Sequence, residues 1–116
     1  MADRVNPIVI THKETGDKYT LEFSRETVKF AESRGFAVNE VGDYPMTKLP
    51  ELFYYSFRMH HKNMARSQTD AIMFDDLKGL YPEFIERLVQ LYAAPMQALV
   101  KDEEDSGKNS KMTVEM

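Results

Sequence analysis

Apolar and polar side chains alternate in two short segments near the N-terminus, residues 8–13 (IVITHK) and residues 18–24 (KYTLEFS). In the first of them Ile8 and Ile10 share one face. A short loop containing Gly16 separates the two segments, so the pattern predicts a β-hairpin. Because an isolated hairpin is only marginally stable, we expect this one to lie against helices. The alternative is that the two strands pair with strands of neighbouring copies.

Beyond the hairpin the hydrophobic spacing changes to that of an α-helix. Ser24 is predicted to cap a short helix that reaches Arg34 and ends at Gly35. Phe23 and Val28 occupy the two positions of a hydrophobic staple at its start. Residues 36–46 contain glycine and proline and are predicted to be a connector. Its apolar residues, which should attach it to the core, are Phe36, Val38 and Val41.

The longest predicted helix covers residues 47–64, with Thr47 as its cap and Pro50 tolerated in the first turn. At 100° per residue, one side of it is an apolar stripe of Leu49, Leu52, Phe53, Ser56, Phe57, His60 and Met64. The other side carries Glu51, Tyr54, Tyr55, Arg58, His61 and Lys62. We therefore expect a core face and an outward face on which two tyrosines lie beside cations.

A third helix is predicted after a link at residues 65–68. Ser67 and Asp70 form a pair that resembles a capping box, and Gly79 should end the helix. The apolar residues expected on its inward edge are Met73, Phe74, Leu77 and Leu80.

The last predicted helix starts near Tyr81 and Pro82, and Pro95 should kink it. The centre of its apolar stripe is formed by Phe84, Leu88, Leu91, Tyr92, Pro95 and Leu99. A second apolar edge consists of Ile85, Val89, Met96 and Val100. Two explanations stay open for this edge, since neighbouring helices could bury it or it could mediate self-association.

These elements predict a single α+β domain over residues 1–101, in which an N-terminal β-hairpin is followed by about four mostly amphipathic helices. Residues 102–116 are acidic, polar and without a hydrophobic pattern, which predicts a disordered tail. The 116 residues carry a net charge of −4, whereas nucleic-acid-binding proteins usually have an excess of basic residues. The chain has no cysteine, no apolar run long enough for a membrane span and no secretory signal, so we expect a cytoplasmic protein.

Candidate catalytic chemistry is sparse. His60 and His61 are adjacent, and adjacent helical residues point about 100° apart, which is unsuited to one metal ion. His60 is predicted to be hydrogen-bonded and partly buried, and His61 to lie on the surface. Asp75 and Asp76 diverge in the same way, and no glycine motif or nucleophile elbow is present. We expect no enzymatic activity and no cofactor; a metal-dependent enzyme using His60, His61 and Asp76 is a remote alternative.

Protein binding is the function that the residues favour. Tyr54 and Tyr55 with Arg58 and Lys62 form the strongest candidate surface, because Tyr and Arg are enriched at binding hot spots. The alternative is that the hairpin or the connector covers these tyrosines.

A resemblance to a known family sharpens this expectation. The order of three segments, IVITHKETGDKYTLEFSRETVKFAESRGF, LPELFYYSFRMHHKNMARSQTDAIMFDDL and FIERLVQLYAAPMQAL, resembles small tail assembly chaperones of long-tailed phages and related prophages. The likeness covers residues 8–99 and rests on this overall order and on the segment FYYSFRMHH. It implies a non-enzymatic viral protein of the bacterial host cytoplasm. Such a chaperone coats the tape-measure protein, keeps it soluble and helps recruit tail-tube subunits, often as an oligomer.

Two expectations depend on that resemblance. The first is a client surface that includes Tyr54, Tyr55, Phe57, Arg58 and Met59. The second concerns the tail after Lys101, which lies where a longer frameshifted form would begin in many phages. A different class of protein also fits the residues, namely a phage-encoded regulatory or inhibitory module that binds one host protein.

Overall fold

A computed structural model describes residues 5–99 and 112–116 and confirms the α+β prediction. The hairpin consists of β1 (Ile8–Thr11) and β2 (Lys18–Leu21). The helices are α1 (Arg25–Ser33), α2 (Pro45–Phe57), α3 (Arg66–Ala71) and α4 (Pro82–Ala93), with a 3-10 turn at Val38–Glu40, a π-helical turn at Ile72–Asp76 and a 3-10 segment at Ala94–Leu99. Most of the predicted disordered tail falls on residues 100–111, outside the described residues. Residues 112–116 are exposed and form neither helix nor strand.

The hairpin is antiparallel, with Val9 opposite Thr20 and Ile10 opposite Tyr19. Its loop is closed by the His12 N–H, which donates to the Asp17 carbonyl at 2.8 Å. The hairpin is therefore paired within one chain, as its sequence pattern predicts.

Helix α2 closes the outer edge of β2. The Glu22 N–H donates to the Ser56 carbonyl at 3.0 Å, and the Thr20 N–H donates to Nε2 of His61 at 2.9 Å. The rings of Tyr19 and Phe57 lie 5.7 Å apart across the same junction. The hairpin therefore packs against a helix, as expected for a two-stranded sheet.

Helix α1 has the predicted ends. The Ser24 side chain accepts from the Thr27 N–H at 3.2 Å, and the Thr27 hydroxyl accepts from the Ser24 N–H at 2.8 Å. Gly35 follows the helix with φ +86°, a conformation that favours glycine. Phe23 and Val28 are both buried.

The core forms around α2. Leu52, Phe53 and Phe57 are at most 1% exposed, and the rings of Phe53 and Phe57 meet nearly edge to face at 5.0 Å. Each fully buried side chain of this size contributes roughly 1.5–3 kcal/mol. Phe36 and Val41 of the connector are also buried, as predicted.

Four predictions about α2 are wrong, the first being that Pro50 lies in the first turn, since it lies inside the helix. The helix begins at Pro45 rather than Thr47 and ends at Phe57 rather than Met64. Tyr55, expected on the outward face, is 8% exposed because two aromatic rings pack against its own. The ring centroids of Phe30 and Phe36 lie 6.0 and 5.5 Å from that of Tyr55. Phe36 of the connector and Phe30 of α1 together cover Tyr55, so the alternative explanation, cover by the connector, holds in part.

The third helix differs from its prediction at both ends. It begins after Ala65, whose N–H donates to the Gln68 side chain, while Asp70 pairs with Arg66 rather than capping with Ser67. The π-helical turn inserts an extra residue per turn and so rotates the side chains that follow. In consequence Ile72 and Met73 are buried, whereas Phe74 is 51% and Leu77 38% exposed.

Helix α4 starts at Pro82 as predicted, and Leu88, Leu91 and Tyr92 are buried. Pro95 does not kink the helix, because α4 ends at Ala93 and continues as the 3-10 segment. Leu99, predicted in the buried stripe, is exposed. In the proposed self-association edge Ile85 and Val89 are half-buried and Met96 is exposed, while Val100 lies outside the described residues. A role for this edge in self-association stays a prediction.

Candidate partner-binding surface

The five predicted client-contacting residues separate into two groups. Tyr55 and Phe57 are buried in the core, so neither is available at the surface. Tyr54 and Arg58 are half-buried, and Met59 is 42% exposed. Tyr54, Arg58 and Met59 therefore remain the surface candidates, with Tyr55 and Phe57 beneath them.

Arg58 follows directly on α2 and stacks on a ring from α1. Its guanidinium carbon lies 3.6 Å from the centroid of Phe30, and that of Arg34 lies 4.9 Å from the same centroid. Neither guanidinium forms an ion pair within the described part of the chain. The aromatic ring therefore orients two cations whose hydrogen-bond donors are available to a partner.

A shallow groove continues from this stack between α1 and the end of α2. Phe30, Arg58, Met59 and Lys62 line it, together with Glu26 near the start of α1. We define the α1–α2 surface as Phe30, Arg34, Arg58, Met59 and Lys62. It combines three cations with two apolar side chains, and one acidic residue lies at its margin.

Phe30 and Arg34 belong to this surface but were not predicted from the sequence. Phe30 is half-buried and adjacent to the buried Ala31, so its position on α1 indicates only that it lies at the edge of the core. The sequence gives no signal for the proximity of α1 to the end of α2.

The two histidines connect the hairpin to the segment that follows α2, with their predicted environments exchanged. Nε2 of His60 lies 2.8 Å from Oε1 of Glu22, confirming its hydrogen bond, but the His60 side chain is 37% exposed. His61, predicted at the surface, is half-buried, and Nε2 accepts from the Thr20 N–H. Burial lowers the pKa of His61, and the charge of His60 lowers it further. The lowered pKa favours the neutral ring of His61, whose Nε2 can accept the hydrogen bond from the Thr20 N–H.

In the regions that the structure describes, no three His, Asp or Glu side chains are grouped so that they could hold a metal ion. Asp75 and Asp76 are exposed beside β1. Tyr92 is buried deep in the core, and that burial, with a smaller effect of Glu32, raises its pKa to about 12. Burial followed by the charge of Glu51 likewise raises the pKa of Tyr55. Both phenols therefore remain protonated at neutral pH and act as core side chains.

A family described as a domain of unknown function (DUF5055) matches residues 1–116. The chain belongs to the DUF5055 family. No curated protein and no solved structure matches it. Within residues 5–99 and 112–116, this DUF5055 chain has no helix of sufficient length and apolar character to cross a membrane.

The α1–α2 surface of this DUF5055 chain combines groups that bind carboxylates with groups that bind apolar side chains. Its cations match carboxylates, its ring and thioether match apolar side chains, and methionine adapts to contacts of different shape. An amphipathic helix with acidic residues beside its apolar face presents both carboxylates and apolar side chains.

Proposed function

We propose that this protein is a non-enzymatic phage tail assembly chaperone that binds the tape-measure protein in the bacterial cytoplasm and assists tail-tube assembly. The supporting observation is the α1–α2 surface, where Phe30 holds two guanidiniums beside Met59 and Lys62. The resemblance of residues 8–99 to such chaperones supplies the client. A tape-measure protein is long and helical, so its apolar stripes need cover before assembly.

The client contacts are distributed over several moderate interactions. A cation–π pair at an exposed site contributes about 0.5–1 kcal/mol, and a surface ion pair no more. One copy therefore binds one client segment weakly, and many copies along one client bind with high avidity. Weak individual contacts also allow the chaperone to leave when tail-tube subunits arrive.

The corrected client surface differs from the one predicted by sequence. Arg58 and Met59 contact the client directly. Tyr54 lies on α2, one helical turn before Arg58. Tyr55 and Phe57 hold that part of α2 in place from inside the core. Phe30, Arg34 and Lys62 complete the contact area.

Coexpression with the tape-measure protein tests this proposal. The variant Arg58→Glu removes the stacked guanidinium and places an acid where acidic client segments bind. The matched control is Lys18→Glu, which makes the same charge change at an exposed residue of β2 that lies outside the groove. We expect the wild type and Lys18→Glu to keep the client soluble and to copurify with it, and Arg58→Glu to lose both properties.

Circular dichroism and thermal melting check that both variants are folded. Equal copurification of a folded Arg58→Glu variant would contradict the proposed surface. An insoluble tape-measure protein in the presence of the wild-type chain would contradict the proposed function. The alternative of a regulator of one host protein predicts that second result together with a defined host partner.

A further inference from the structure

The edge of β1 that faces away from β2 is open. Residue pairs alternate along an antiparallel ladder between those that exchange hydrogen bonds and those that do not. The Thr20 N–H donates to His61, away from β1, so Thr20 and the opposite residue Val9 form a pair of the second kind. Thr11, two positions after Val9, has the same orientation. The N–H and carbonyl groups of Val9 and Thr11 therefore point outward, and no hydrogen bond to them is present within the described residues.

A second copy of β1 fits this edge by symmetry. In an antiparallel pair of identical strands, Val9 of each copy can face Thr11 of the other across a two-fold axis. Both residues direct their N–H and carbonyl groups outward, so each of the two facing pairs exchanges two main-chain hydrogen bonds. Ile10 then lies opposite Ile10 of the second copy, in a closely spaced pair without hydrogen bonds. The outward groups of β1 are therefore complementary to themselves.

Apolar surface lies beside the open edge. A cavity of about 730 Å³ is lined by Val9 and Ile10 of β1 and by Leu77 and Tyr81. A second cavity of about 410 Å³ shares Ile10 and Leu77 with it and continues beside Thr11; we call the two together the β1 groove. Leu77, Val9 and Tyr81 are 38%, 58% and 80% exposed. A strand that joins this edge therefore meets uncovered apolar side chains as well as backbone groups.

The charges that line the β1 groove differ between its two ends. Glu14 and Asp75 line only the part beside the C-terminal end of β1. Lys78 lines only the part beside the N-terminal end. Lys13 and Asp76 line both parts and have opposite charges, so together they leave the balance of each part unchanged. The C-terminal end is therefore acidic and the N-terminal end basic.

An antiparallel contact brings these opposite ends together. Lys78 of one copy then lies toward Glu14 and Asp75 of the other, whereas a parallel pair would bring the two acidic ends together. His12, which also lines the C-terminal part, adds no charge there. Its Nδ1 accepts from the Glu14 and Thr15 N–H groups at 3.2 and 3.3 Å, which requires the neutral ring. Charge complementarity therefore favours the same orientation as the backbone.

We infer that the β1 edges of two copies pair in the antiparallel orientation and form a symmetric dimer. The two hairpins join into one continuous sheet, and each copy covers the open edge of the other. The dimer presents two α1–α2 surfaces. No residue of those surfaces takes part in the contact, so the inference stands or fails independently of the proposed client.

Cysteine cross-linking tests the register, since the chain has no cysteine of its own. Facing residues of a closely spaced pair have Cα atoms about 4.5 Å apart, which suits a disulfide, so Ile10→Cys should form a covalent dimer under mild oxidation. Val9→Cys is the matched control at a more exposed position. Its two copies lie diagonally, roughly 7–8 Å apart, which is too far for a disulfide. Val9→Cys should therefore cross-link at least about 10-fold more slowly, because only random encounters join it.

Sedimentation equilibrium of the full chain measures the dimer without a covalent bond. We expect the wild type to form a dimer that dissociates on dilution. Val9→Pro removes an outward N–H without breaking the ladder to β2, and the two-fold axis doubles that loss. Val9→Thr keeps the N–H and is its control. Val9→Pro should dimerise at least about 5-fold more weakly than Val9→Thr.

Hydrogen exchange of the wild type needs no substitution. The Val9 and Thr11 amides should gain protection as the concentration of the chain rises. The Ile10 amide is the internal control, because Ile10 already exchanges hydrogen bonds with Tyr19 of β2 and should not change.

A charge exchange tests the orientation of the two strands. Lys78→Glu and Asp75→Lys should each weaken the dimer by up to about 5-fold, and the double variant should recover it. Three results would overturn the inference: a wild type that stays monomeric at millimolar concentration, equal rates of cross-linking for Ile10→Cys and Val9→Cys, or a dimer in which the Val9 and Thr11 amides gain no protection.

Discussion

Replacing His61 with Phe removes one hydrogen-bond acceptor while it retains an aromatic ring. The His61 ring lies 5.4 Å from Tyr19 and 6.1 Å from Phe57, and a phenyl ring can make the same contacts. The Thr20 N–H, however, loses the partner that it holds at 2.9 Å. A partly buried donor without a partner costs roughly 1–3 kcal/mol. Because the site is only partly buried and water can reach it, we expect a loss of about 1–2 kcal/mol.

Urea unfolding followed by circular dichroism measures this loss. For a domain of this size, the change corresponds to a decrease of about 0.5–1 M in the urea midpoint. The companion variant Thr20→Pro removes the donor itself, at an outward position where an edge strand tolerates proline. In the Thr20→Pro background, His61→Phe should cost much less, so the double-mutant cycle isolates the hydrogen bond.

The same contact predicts a pH dependence. The pKa of His61 is lowered in the folded chain, so the unfolded chain binds more protons as the pH falls below 6.5. The stabilisation by neutral His61 is therefore complete above that value and is lost as the pH falls through the folded pKa. The difference in unfolding free energy between the wild type and His61→Phe should be largest at pH 7–8 and smaller at pH 5. An equal cost of His61→Phe in both backgrounds, or a difference independent of pH, would refute this account.

Three further substitutions have effects that thermal or urea unfolding can measure. Phe57→Ala leaves a cavity in the centre of the core and should cost about 3–5 kcal/mol, a large part of the total stability; Phe57→Leu should cost clearly less, and similar losses would contradict the packing described. Ser24→Ala removes the acceptor for the Thr27 N–H and should cost about 1 kcal/mol, whereas Ser24→Asp should retain most of the stability. Gly35→Ala meets no neighbouring atom but is strained at φ +86°, so it should cost about 1 kcal/mol, and a neutral result would show that the backbone relaxes.

The parts of the fold that sequence predicted are those fixed by local chemistry. The hairpin follows from its alternating segments, the start of α1 from Ser24, its end from Gly35 and the start of α4 from Pro82. Each of these signals acts within a few residues of the structure that it determines. Their agreement with the structure therefore required no knowledge of tertiary contacts.

The failed predictions concern features that depend on distant parts of the chain. Tyr55 is buried because Phe30 and Phe36 approach α2 from the side that its periodicity marked as outward. Helix α2 stops at Phe57 without a glycine or proline nearby, at the place where His61 bonds to the hairpin. The π-helical turn after α3 rotates Phe74 into solvent, and no pattern of residues in the sequence predicts that turn. Phe30 and Arg34 of the α1–α2 surface were not predicted for the same reason, since they are far from Arg58 in sequence.

Synthesis runs from the N-terminus to the C-terminus, so β1 and β2 leave the ribosome before the groups that close the β2 edge. His61 follows Thr20 by 41 positions, and Ser56 lies near the end of α2, shortly before His61. Until that part is available, the nascent hairpin exposes two open edges and lacks α2, the helix against which it packs. Chains that stop before His61 should therefore carry an unprotected hairpin and aggregate through it. The contacts at and just after the end of α2 therefore protect the β2 edge of the hairpin.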